Sequence, residues 1–105
     1  MAWIYLLVAG VFEIGWPVGL KLGWTKEGFR WGWIAFSLVC IVASGALLLL
    51  AQRTIPIGTA YAVWTGIGAV GTFLIGVGFF GDAATLARFF FVGLIVMGVI
   101  GLRLT

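Results

Sequence analysis

Short polar breaks divide this chain into four apolar runs, each about as long as a bilayer crossing requires. The first runs from Ala2 to Leu20 and is interrupted only by Glu13 and Pro17. Lys21, Lys26, Glu27 and Arg30, with Gly23 and Gly28 among them, end it. The second, Trp31 to Ala51, carries no charge. Gln52, Arg53 and Thr54 make a tight connection before Pro56, and the third run covers about Ile57 to Phe80. Gly81 and Asp82 break it, and a fourth is expected over about Ala83 to Leu102. Only 14 uncharged residues separate Arg88 from Arg103. That is about 21 Å of helix, too short to cross, so Arg88 belongs in the first turn with its stem reaching toward the headgroups. The pattern predicts an all-α membrane protein: one domain over residues 1–105, with four transmembrane helices and antiparallel neighbours.

Composition supports the same class. Of the residues, 64% are hydrophobic and 9% charged, where a soluble domain carries about 25% charged residues. Lipid must therefore cover much of the surface. The net charge of +3 does not point to nucleic acid, because the six Lys and Arg are scattered singly. Cys40 stands alone in an apolar run and the chain has no His, so neither a disulfide nor a Cys/His metal site is expected, nor any cofactor. Trp3, Tyr5, Trp24, Trp31 and Trp33 are placed to anchor the interfaces. The first run has no basic lead and contains Glu13, so it is expected to be a span of the mature protein rather than a cleaved signal. Arg53 and Arg103 fall on one side, and Lys21, Lys26, Arg30 and Arg88 on the other. That bias of 2 to 4 only mildly favours an outside N-terminus, and leaves insertion in both orientations open. Four helices enclose little water-filled space, so a dimer is expected.

Glu13 is the candidate chemical centre. It lies about 18 Å along the first helix, near the bilayer midplane, and no other charge lies deep in any span. An ionisable group there is costly unless it faces protein or water, which makes it functional by default. Without a permanent counter-ion, it must bind either a proton or a cation that comes and goes. The bland alternative is a protonated Glu that only bonds another helix. Trp16 is three residues on, on the same helix face, and Tyr61 and Trp64 repeat that spacing in the third span. Deep aromatics can attract a cation or orient a carboxylate, although core packing is the commoner role of each alone. Ser44 is a lone hydroxyl in the second span, by itself more often a packing residue. Gly10 and Gly15 leave room beside the acid, Pro17 should kink the first helix, and the glycines after Trp64 permit close approach or a bend.

These residues also carry a resemblance. Ala2-Trp3, AGVFEIGW from position 9, GLK from 19, PIGTAYAVWTGIGAVG from 56 and GLIVMGVIGL from 93 span essentially the whole chain. In them the chain resembles the small multidrug resistance family, and Trp16 after Glu13 resembles its guanidinium exporter subtype. The resemblance implies an antiparallel dimer, identical or of two paired chains, with two Glu13 side chains in one site and the fourth span as the main dimer contact. It further implies that Trp16, Ser44, Tyr61 and Trp64 line the site, with Gly66 and Gly68 at a hinge in the third span. Protons and a guanidinium-type cation would then compete for the carboxylates. A planar fork of N–H donors matches a carboxylate, which fits this reading.

The expected function is proton-coupled export of guanidinium or small guanidinyl cations across a bacterial inner membrane. A broader exporter of quaternary ammonium ions is the near alternative, disfavoured because Trp16 narrows the pocket. A non-transporting scaffold or pore subunit is the distant one. An enzyme is not expected, since no second acid, His or activated nucleophile accompanies Glu13.

Overall fold

The computed structural model describes all 105 residues. Four helices are long and apolar enough to span a membrane: α1 (Ala2–Gly23), α2 (Trp31–Ala51), α3 (Ile57–Phe79) and α4 (Leu86–Leu104). The first runs three residues past Leu20. The fourth starts at Leu86 rather than Ala83, because Thr85 caps it: its Oγ1 accepts the Arg88 amide at 3.2 Å. Arg88 still falls in the first turn.

Between α1 and α2 the polar break is a small hairpin, β1 (Trp24–Thr25) and β2 (Gly28–Phe29), paired antiparallel with Trp24 opposite Phe29. Gly28 takes a φ of 114°, which side chains rarely adopt, so the loop of Lys26 and Glu27 can close. Trp24, Phe29 and Trp31 stack in series, with ring centroids 5.7 and 4.9 Å apart. That places an aromatic ledge where a headgroup layer would lie. After α3, Gly81 with φ 71° turns the chain back, and the Asp82 amide donates to the Gly76 carbonyl at 3.0 Å.

The bundle is built around α1, which packs against both α2 and α3, while α4 lies against α3. One stripe of α1, Gly15, Gly19 and Gly23 at four-residue spacing, faces Cys40, Ser37 and Ile34 of α2. Gly10 faces Ile67 of α3. Small residues let backbones approach where lipid supplies no hydrophobic drive to associate. Ser37 adds a hydrogen bond from its Oγ to the Trp16 carbonyl at 2.9 Å. A cation over a ring ties each end: Arg103 over Trp3 at 4.7 Å, and Lys21 over Phe80 at 5.2 Å. The first contact puts both chain termini on one side, as four crossings require.

The molecule measures 47 × 34 × 16 Å, a slab too thin to hide most side chains. Its core is a small cluster of Leu6, Ala51, Ile55, Ala60 and Val63 near the chain termini. No residue of α4 is buried.

A Cβ at Gly19 would overlap Ser37 Oγ and sit 3.1 Å from the Trp33 carbonyl oxygen, whereas one at Gly45 would meet nothing within 4 Å. Gly19→Ala should therefore cost about 1–3 kcal/mol of stability, and Gly45→Ala should cost nothing or gain up to about 1 kcal/mol. Denaturant titration of both variants in detergent micelles checks the contrast.

Candidate functional site

Three helices converge on Glu13. The acid comes from α1, Ser44 from α2 and Trp64 from α3. Ser44 is fully buried. It does not bond back to its own helix, as an isolated membrane serine often does. Instead its hydroxyl lies 2.8 Å from the Ala9 carbonyl of α1 and 3.4 Å from Glu13 Oε2. The Trp64 indole N–H donates to Ser44 Oγ at 2.8 Å. Gly68 makes the approach possible, since a Cβ there would lie 2.5 Å from Glu13 Cγ.

The proton count in this cluster is informative. Ser44 has one hydrogen and two acceptors within reach. The Ala9 contact has the length of a good O–H···O bond, while the Glu13 contact is long. With the hydrogen on Ala9, a protonated Glu13 can donate to Ser44 Oγ. With Glu13 ionised, the same hydrogen can swing to the carboxylate and leave Ala9. The Trp64 N–H holds the serine oxygen in place in both states. A single hydroxyl thus satisfies either charge state of the acid without moving a helix. Ser44 is the only side chain that Glu13 bonds, and no basic group neutralises it.

An open cavity of about 270 Å³ lies beside the acid, between α1 and α3, lined by Glu13, Pro17, Thr65, Gly68, Ala69 and Thr72. The larger greasy recess between α3 and α4, lined by residues such as Ile67 and Val99, holds no polar side chain and is not a site for a cation.

The sequence-derived residues are distributed unevenly. Glu13, Ser44, Trp64 and Gly68 meet directly. Tyr61 reaches the cluster only through Trp64, on which its ring packs at 5.4 Å, and it is otherwise exposed. Trp16 is half-buried, and its recorded bond is through its main-chain carbonyl to Ser37 rather than through its indole. Gly66 faces Val99 of α4. Both Gly66 and Gly68 lie within one continuous helix, where their visible role is close packing. Sequence reasoning passed over the Ala9 carbonyl, Ser37, Thr65 and Thr72. The spacing of Ser37, Cys40 and Ser44 (three, then four residues) marks the packed face of α2 and signalled Ser37. Thr65, Gly68 and Thr72 repeat that pattern on α3. A main-chain carbonyl leaves no mark in a sequence.

The site is one acid, bonded by a single uncharged hydroxyl inside a bundle of four membrane-length helices and beside an open cavity. Comparison with known proteins gives the family. Residues 1–95 match the family model described as Small Multidrug Resistance protein. A protein named "Guanidinium exporter" from Yersinia pseudotuberculosis serotype I (strain IP32953) is 50% identical over 105 residues, covering 99% of this chain and 98% of that one. Proteins of the same name from Citrobacter freundii and Salmonella typhimurium are each 47% identical, covering 100% of this chain and 98% of theirs. The chain belongs to the small multidrug resistance family. It is a small-cation exporter and a multi-pass protein of the bacterial inner membrane.

Because Trp64 and Ser44 act as one unit, their removal should not be additive. Ser44→Ala strands the Trp64 N–H and should cost about 1–3 kcal/mol. Adding Trp64→Phe should then cost less than it does in the wild type. A double-mutant cycle on unfolding free energies tests this, and full additivity would contradict the coupling.

Proposed function

We propose that this exporter is an antiporter for guanidinium and small substituted guanidinyl cations, in which protons and substrate compete for Glu13. The observation that carries the reading is the uncompensated acid, whose two charge states are both served by the Ser44 hydroxyl. Such an acid can release a proton to take a cation, and release the cation to take a proton. Guanidinium presents a planar N–H edge that a carboxylate engages through two parallel bonds, so it is oriented as well as attracted. The relatives named for guanidinium export, at 47–50% identity over nearly the whole chain, support the choice of cation.

The working unit is a dimer of antiparallel subunits, identical or paired, that brings two Glu13 side chains into one site. Its support is the open side of the Glu13 cavity, the thin slab and an α4 none of whose residues is buried. Trp16 and Tyr61 then line the site from the surfaces that a single chain leaves open. Gly66 and Gly68, with no side chains to resist bending, supply the hinge of α3 as the site opens alternately to the two sides. Exclusive occupancy couples the fluxes: the proton and the cation each lower the other's affinity by the same factor.

Purified protein in liposomes should exchange guanidinium for protons, and Glu13→Gln should abolish both fluxes. Robust transport by the Gln variant would overturn the role given to the acid. Apparent affinity should also depend on pH with a definite sign. Protons compete, so guanidinium binds more weakly as pH falls, by up to about tenfold per unit for each proton displaced. Calorimetric titration across pH checks this, and pH-independent binding would rule out competition at Glu13.

A further inference from the structure

The bonds described so far involve only one oxygen of Glu13 and one flank of the acid. The other flank is the cavity between α1 and α3, and its lining carries the hydroxyls of Thr65 and Thr72. Pro17 lies four residues after Glu13, in the position whose amide would ordinarily bond the Glu13 main-chain carbonyl. Proline has no N–H, so that carbonyl lacks its helical donor. A helical carbonyl points along the axis toward the residue four on, and Pro17 itself lines the cavity. Across from it, Thr72 is half-buried on the same face of α3 as Gly68, the residue on which the Glu13 side chain rests. A helical threonine usually bonds back to its own turn. The bonds in this structure leave the Thr72 hydroxyl without one, and the same holds for Thr65 one face-repeat earlier.

A guanidinium ion carries N–H donors along every edge, and a carboxylate engages only one edge. The donors on the remaining edges gain from acceptors placed to meet them. We propose that the Glu13 main-chain carbonyl freed by Pro17 and the Thr72 hydroxyl form a second acceptor set, which binds the N–H edge of the substrate that the Glu13 carboxylate does not reach. The inference rests on the guanidinyl reading above. Thr72 and Pro17 thereby set specificity: they favour cations with several N–H edges over cations of similar size that have none.

The test measures guanidinium binding to the purified full-length protein by calorimetry, with all variants at the same pH. Thr72→Val keeps the shape and removes the hydroxyl, and is expected to weaken binding about tenfold. Thr72→Ser restores the hydroxyl and should bind within about twofold of wild type. Pro17→Ala returns an amide to the Glu13 carbonyl and should weaken binding as Thr72→Val does. Removing a proline from a helix interior favours folding, so an unfolded protein does not explain that loss, and the Thr72 pair isolates the acceptor from any change in helix bend. Wild-type affinity in both Thr72→Val and Pro17→Ala overturns the acceptor set alone. A Ser variant as weak as the Val variant also overturns it, since packing would then explain the effect. A folded wild-type protein that binds no guanidinium overturns the guanidinyl reading and this inference with it.

Discussion

A carboxyl group near the middle of a membrane is costly unless protein groups meet its polar atoms, and the rest of this molecule is arranged around that constraint. Glu13 is met by Ser44 from the second helix, and Ser44 is fixed by the Trp64 indole from the third. Neither partner carries charge. A lysine or arginine in their place would hold the acid permanently ionised. A purely apolar surround would hold it permanently protonated. A hydroxyl can donate or accept, so it can bond the acid whether it is protonated or ionised.

That cluster needs three backbones close together, and glycine makes this possible. The stripe of Gly15, Gly19 and Gly23 brings α2 against α1, while Gly10 and Gly68 bring α3 in from the other side. Hydrophobic burial contributes little here, because lipid tails are as apolar as the side chains they would replace. Close contact and a few internal hydrogen bonds hold the bundle instead. The consequence is a slab with a small core and an acid open on one flank. A soluble protein built this way would aggregate. In a bilayer the exposed faces are solvated by lipid tails instead of water.

Pro17 fits the same logic. Within a soluble helix a proline is a defect, because it removes one backbone bond. Beside Glu13 it withholds one helical amide from the acid's own carbonyl, and it lines the cavity with Thr65 and Thr72. The chain's most irregular helical residue therefore lies at its chemical centre, as expected where function overrides local regularity.

Much of this was legible in the sequence, for a physical reason. A span must be long, apolar and helical, because hydrocarbon offers no partner to a free backbone amide. Run lengths and charges therefore define four helices, and one acid out of place defines the centre. Ends set by local bonding were less visible: the Thr85 cap moved the start of α4, and Gly28 turned a loop into a hairpin. In the site, Glu13 stood out because an acid at that depth is costly without a partner, whereas Trp64 could equally have been a packing residue. Ser44 was ambiguous, since a serine bonding its own turn and one bridging two helices have the same neighbours in sequence. Only the tertiary structure showed that it joins Ala9, Glu13 and Trp64. Only the structure showed Gly68 seating the Glu13 side chain, and Thr72 opposite Pro17. The sequence determined what had to lie in the membrane, because solvation acts on each residue separately. The fold decided which groups meet there, because hydrogen bonds depend on distances between residues far apart in the chain.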